Sequence, residues 1–196
     1  MNGRICAVIA AAGLSSRMGA FKPLLPLDGS SVIRRCAGNL LAAGAKELVV
    51  VTGHRGAEIA AELAELGVRI VENPDYASTQ MFDSLRIGMR ALSGPCDKLL
   101  LTPGDVPWVS PELIGRLLEV DADFVCPRCG GRRGHPVVLA GRLIPALLDW
   151  SGEGGLRGAA EALGLSTAFV ETPERGVTLD LDTRKDYQLL MELIAE

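Results

Sequence analysis

Short apolar runs without a polar break recur along the chain, and each is followed by a stretch whose apolar residues fall at helical spacing. The first run, Ile5 to Ala10, mixes β-branched and small residues, as a strand covered on both faces does. Ser30 or Ser31 then caps a helix through "VIRRCAGNLLAAG" that Gly44 ends, and "KELVVVT" reads as a second strand. A helix from about Gly56 to Leu66 stops at Gly67, "VRIVEN" gives a third strand ending at Asn73-Pro74, and "STQMFDSLRIGMRAL" supplies a third helix. "DKLLLT" is a buried fourth strand that breaks into "PGDVPWV", and "SPELIGRLLEV" is a helix with serine at its cap and proline in its first turn. This alternation predicts an α/β fold, a three-layer, mainly parallel Rossmann-like sheet with helices on both faces. Such sheets bind ligands beyond the carboxyl ends of their strands, so the loops after strands one and four are the informative ones.

From about Ala122 the pattern changes: "ADFVCP" and "PVVLA" flank the loop "CGGRRGH", short helical stretches follow, and "GVTLDLD" precedes a final helix. With 196 residues, 48% of them hydrophobic, and no linker or repeat, a single domain over 1–196 is expected. The formal charge of -4, without a basic run, argues against nucleic acid as a partner. The five cysteines are odd in number and sit mostly in apolar surroundings, which suits reduced core residues. Cys126-Pro-Arg-Cys129 has C-x-x-C spacing but lacks a second ligand pair, so it reads as two cysteines at a strand-to-loop boundary. The chain opens on a strand and holds no apolar stretch of membrane-spanning length, from which a cytoplasmic protein with no membrane partner is expected.

The loop after strand one, "AAAGLSSRMGAFKPLLPL", carries Gly13 and Gly19, which allow tight turns and exposed N–H groups, and the cationic donors Arg17 and Lys22. Together they describe a cradle for phosphate oxygens. It is neither a Walker A loop nor a G-x-G-x-x-G, and alone it would pass for a glycine loop with solvated basic residues. Strand four, however, empties into Gly104-Asp105-Val106-Pro107, placing a carboxylate at the same sheet edge. A carboxylate facing a polyphosphate site suits Mg²⁺, although a turn aspartate capping the next helix is the plainer alternative. Asp180 and Asp182 alternate with Leu179 and Leu181, so on a strand both aspartates share one face and either could supply a second oxygen ligand.

At this point the chain resembles a known family. "AAAGLSSRMGAFKPLLPL" is similar to the opening signature of nucleotidyltransferases that activate small phosphorylated molecules, specifically the molybdenum cofactor cytidylyltransferases and guanylyltransferases. "NPDYASTQMFDSLRIGM", "TPGDVPWVSPELI", "RRGHPVVLAGRL", "SGEGGLRGA" and "LDLDTRKDY" match later blocks of that family in order, over nearly the whole chain. The resemblance implies a nucleotide-diphospho-sugar transferase-like fold, with a nucleotide-binding half over about 1–120 and an acceptor-binding half over about 121–196. It implies that Ala11, Ala12, Gly13 and Leu14 meet base and ribose, Arg17 and Lys22 act on the phosphates, and Asp105 holds the metal. Thr52, Asn73 and Ser84 fall where relatives line the nucleoside pocket, and His135 in "GHPVVL" falls on the acceptor side, where a structural hydrogen-bonding role competes with substrate contact. Relatives resembling guanylyltransferases carry a second glycine where Ala12 stands. The chain departs from the usual G-M-x-x-S-L with Gln80-Met81-Phe82-Asp83-Ser84-Leu85, which adds an amide and a carboxylate beside the nucleotide. His54 reads as structural or near the pocket, and Trp108 and Trp150 as core or interface residues.

The expected activity is Mg²⁺-dependent transfer of a nucleoside monophosphate, CMP from CTP by preference, to the terminal phosphate of a small acceptor such as molybdopterin, with release of pyrophosphate. A molybdenum enzyme would be the client. Two other readings stay open: a sugar-phosphate or methylerythritol-phosphate nucleotidyltransferase, against which "GHPVVL" argues, and a nucleotide-binding assembly factor without turnover.

Overall fold

The computed structural model describes residues 3–14 and 18–195. Its strands are β1 (Ile5–Ala11), β2 (Pro26–Leu27), β3 (Ser30–Ser31), β4 (Glu47–Thr52), β5 (Arg69–Glu72), β6 (Lys98–Pro103), β7 (Phe124–Cys129), β8 (Arg132–Arg133), β9 (Val137–Ala140) and β10 (Thr167–Glu171). The α-helices are α1 (Val32–Ala42), α2 (Gly56–Leu63), α3 (Met81–Arg90), α4 (Pro111–Glu119), α5 (Ile144–Asp149), α6 (Gly155–Ala162) and α7 (Arg184–Ala195). The main sheet runs β10-β7-β9-β6-β1-β4-β5, with β8 paired to β7 and a separate β2–β3 hairpin. β6, β1, β4 and β5 are mutually parallel, and β9 is antiparallel to both β6 and β7. This is the mainly parallel sheet that the alternation predicts.

The apolar runs are continuous because both faces of the central strands are covered. On β1, Ala7 and Ile9 join the cluster that Ile33 and Leu40 of α1, Ile59 of α2 and Leu113 and Leu117 of α4 complete. Cys6 and Val8 point the other way, towards Phe82, Leu85 and Met89 of α3, Leu147 of α5 and Ala159 of α6. Leu190 of α7 packs with Leu181, Met18, Leu27 and Val32 in a third, smaller cluster beside the hairpin. The caps follow the sequence: the Ser31 side chain accepts from the Arg34 N–H (3.2 Å) and that of Ser110 from Leu113 N–H (3.1 Å), with Pro111 at the start of α4.

α3 approaches the sheet closely because position 88 is glycine. A Cβ there would stand 2.3 Å from Val8 Cγ1 and 2.9 Å from Val51 Cγ2. Gly88→Ala is therefore expected to lower stability by about 1–2 kcal/mol, overpacking outweighing the gain in helix propensity. Urea titration checks this, and an unchanged or raised midpoint would contradict it.

Two features differ from the sequence reading. Thr167–Glu171, which carried no strand expectation, pairs in parallel with β7 as the sheet's edge. "GVTLDLD" is not a strand: Arg175–Thr178 form a 3-10 turn, and 179–182 follow without sheet pairing. Its period of two has another cause, since Leu181 enters the α7 cluster while the neighbouring aspartates turn to the opposite side.

Candidate active site

The carboxyl ends of β1 and β6 lie side by side, with Ala10 opposite Pro103. Beyond them the Gly104 N–H donates to the Ala10 carbonyl at 2.9 Å, and a Cβ on Gly104 would meet Ala11 Cβ at 3.0 Å. A side chain here would crowd Ala11 and Ile33, so glycine lets the chain run close to β1, and that approach sets Asp105 beside the first loop. On the far side, a Cβ on Gly53 would fall 2.5 Å from Tyr76 Cγ and 2.8 Å from the Ala12 carbonyl. Three loops thus close on one cleft, lined by Ala10 to Gly13, Lys22, Tyr76, Thr79 to Met81, Ser84 and Asp105.

Gly19 has φ +68° and so uses its freedom to turn, whereas Gly13 does not lie in the left-handed region and faces open space where a Cβ would be. Gly13 leaves room in the cleft rather than bending the chain.

Lys22, buried in the 3-10 turn Lys22–Leu24, donates from Nζ to Asp182 Oδ1 at 2.7 Å and to Asp105 Oδ2 at 3.3 Å. Asp182 reaches it through backbone docking. Gly176 packs against Trp108 so tightly that a Cβ would lie 1.7 Å from the Trp108 carbonyl oxygen, and the Leu181 N–H donates to the Asp105 carbonyl at 3.2 Å. Of the two aspartates the sequence offered, Asp182 is the one paired with Lys22. Burial, then the charges of Asp105 and Asp182, push the Asp180 carboxyl up to about 6, so the three acidic groups face a common region.

Other predicted residues take different positions. Arg17 lies outside the described residues. Ala11, Ala12, Gly13 and Ser84 line the cleft, while Leu14, next in the chain, is an exposed side chain that does not line it. Thr52 and Asn73 are buried beneath the lining: the Thr52 hydroxyl donates to the Val71 carbonyl, and Asn73 Nδ2 donates to Thr79 Oγ1 (2.9 Å) and Ser84 Oγ (3.0 Å). Asn73 Oδ1 also accepts from the Asp75 N–H at 3.0 Å, so this residue fixes the loop that carries Tyr76 and Thr79. Of the departures in "QMFDSL", Asp83 caps its own helix, accepting from the Gln80 N–H at 2.9 Å, and Gln80 faces the cleft. Tyr76 was not singled out from the sequence; its place depends on Gly53, 23 positions away in the chain, and no local pattern signals that pairing.

A second cavity of about 440 Å³ adjoins the first, and Gln80 and Met81 line both. Its walls include Phe82, Phe124, His135, Arg133 and Arg157. Burial holds His135 below the usual imidazole range, against the pull of Asp105 and the Leu101 carbonyl, and its buried Nδ1 has no hydrogen-bond partner among the described residues. His54 packs edge-on against Phe21 at 5.7 Å, Trp150 against Phe82 at 5.9 Å, and Arg35 lies over Trp108. All five cysteines are free, and among the described residues no three metal-ligating side chains gather into a ready-made cage. That donor set still fits Mg²⁺, which keeps water and takes one or two carboxylates together with phosphate oxygens; Asp105 and Asp182 are the carboxylates that could hold it. No helix among the described residues is long and apolar enough to cross a membrane.

The sheet, with its cleft at the carboxyl ends of the central strands, has the fold of nucleotidyl transferases whose structures are solved. A nucleotidyl transferase from Methanothermobacter thermautotroptrophicus is similar at TM-score 0.84 and 30% identity, over 98% of both chains. The chain belongs to the MobA-like NTP transferase domain family, whose pattern residues 7–167 match. Among relatives of known name, molybdenum cofactor cytidylyltransferase of Escherichia coli is 28% identical over 96% of both chains. Nicotine blue oxidoreductase of Paenarthrobacter nicotinovorans is also 28% identical, over 95% of this chain and 96% of its own.

Proposed function

We propose that the protein transfers CMP from CTP to the terminal phosphate of a small acceptor, a molybdopterin, and releases pyrophosphate. The observation that carries this reading is Lys22 Nζ set between Asp105 and Asp182 at the mouth of a cleft floored by Ala10 to Gly13. The similarity to the cytidylyltransferase of Escherichia coli supports the choice of CTP and acceptor.

The acceptor phosphate attacks the α-phosphorus of CTP, a new P–O bond forms, and the bond to the β-phosphate oxygen breaks as pyrophosphate leaves. A phosphate monoester has a second pKa of roughly 6, so it is already ionised at neutral pH and needs no base. The chain's task is then in-line positioning and charge. Lys22 takes up charge on the phosphates, and Arg17 is assigned to the same role. Asp105 and Asp182 hold Mg²⁺, which when bound neutralises charge on the phosphoryl groups. Gln80 and Met81 divide the nucleotide cleft from the larger cavity, which receives the acceptor. Pyrophosphate release from CTP with molybdopterin is the test. Release only with sugar phosphates or methylerythritol phosphate, or nucleotide binding without any release, would overturn it.

Base choice rests on Ala12, a buried side chain in the cleft floor beside Gly13. Small residues bring the backbone close enough to pair with a pyrimidine's Watson–Crick edge. CTP is expected to be preferred over GTP, and Ala12→Gly, by enlarging the floor, to shift relative kcat/KM towards GTP by roughly ten to a few hundredfold. Equal use of both nucleotides by the wild type, or no response to the substitution, would contradict this.

A further inference from the structure

Lys22 does more in the free protein than wait for a phosphate. Its Nζ bridges two carboxylates that come from widely separated loops, 83 and 160 positions away in the chain. Each contact engages one oxygen of a carboxylate, Asp105 Oδ2 and Asp182 Oδ1, and sets the ammonium between the two groups that a divalent cation would join; Mg²⁺ binds oxygen at about 2.0–2.1 Å and tolerates little displacement. Lys22 is buried together with Pro23 of its turn, and its Nζ is tied to both carboxylates, so the ammonium is held in place rather than swinging in solvent. A cation bound to Asp105 and Asp182 would lie against that fixed positive charge, and repulsion between like charges at such range is large where solvent screens poorly. Asp180 and Arg132 also face the cluster with opposite charges, and neither bridges the pair as Lys22 does.

A polyphosphate entering beside Ala10 to Gly13 supplies a competing anion for the ammonium. We infer that Lys22 is a built-in occupant of the cation position, so that the divalent cation binds Asp105 and Asp182 only when nucleotide draws the lysine away. Metal then enters with or after the nucleotide, never before it, and a metal-loaded but empty site does not accumulate. This inference rests on the assignment of Asp105 and Asp182 to the metal.

Mn²⁺ titration followed by electron paramagnetic resonance, without acceptor and with or without CTP, tests it. The wild type alone is expected to bind Mn²⁺ weakly, and CTP to bring in Mn²⁺ beyond what CTP binds by itself. Lys22→Met, and equally Lys22→Gln, which keeps a hydrogen-bonding end between the carboxylates, are expected to bind Mn²⁺ without nucleotide roughly tenfold tighter or more. Adding Asp105→Asn to either variant should abolish the gain. Tight binding by the nucleotide-free wild type that Asp105→Asn removes would overturn the inference alone. Binding in the presence of CTP that ignores Asp105→Asn would overturn the metal assignment beneath it.

Discussion

Asp105→Asn is expected to leave the fold intact and to lower kcat by roughly a hundredfold or more, the cost of removing one preorganised electrostatic group from such a site. The fold survives because the docking of the late segment uses the Asp105 backbone: its carbonyl, not its side chain, accepts from the Leu181 N–H. The amide also keeps the size of the side chain. What is lost is the charge that balances Lys22 and that, in the proposed mechanism, would hold the cation. Steady-state kinetics against Mg²⁺ concentration, with circular dichroism as the check on folding, decide the matter. A variant that stays active with unchanged Mg²⁺ dependence removes Asp105 from the mechanism.

Gly176→Ala should damage stability and turnover together. The added methyl would meet the Trp108 carbonyl oxygen at 1.7 Å, and neither neighbour yields easily: Val106 and Val109 anchor that loop in the core, and Val177 is fully buried. Overpacking against backbone costs about 3 kcal/mol or more, which for a chain of this length lowers the melting temperature by roughly 6–12 °C. Displacing the segment also moves Asp182 from Lys22, so kcat should fall at temperatures where the variant is still folded. A melting curve that matches the wild type would show that the close approach is not maintained in solution.

The central architecture could be read from the sequence because its cause is local. Strands buried on both faces leave unbroken apolar runs, and the helices between them show their caps at Ser31 and Ser110. The meeting of the Gly13–Lys22 loop with Asp105 followed from topology, since parallel neighbours bring their carboxyl ends to one edge. The rest failed where sequence pattern and cause part company. Leu179 to Asp182 alternate without being a strand, because a buried leucine and a charged site divide the two sides of an irregular segment. Thr167–Glu171 is a half-buried edge strand with a polar residue at each end, too weak a pattern to stand out. Thr52 and Asn73 are polar residues at strand ends, and beyond the pattern itself the structure shows their partners: the Val71 carbonyl for Thr52, and the cleft-lining Thr79 and Ser84 for Asn73. Tyr76 and Gly176 depend on partners distant in the chain, and a single sequence carries no mark of such pairs.

The bond from Lys22 to Asp182 spans 160 positions, and this has a bearing on synthesis. Most of the sheet, from β1 through β9, can assemble while later residues are still being added, because its pairings involve residues up to Ala140. The lysine's second carboxylate is translated long afterwards and must dock through Gly176 before the constellation exists. Until residue 182 has been made and docked, the cleft holds Lys22 and Asp105 without the carboxylate that completes the bridge.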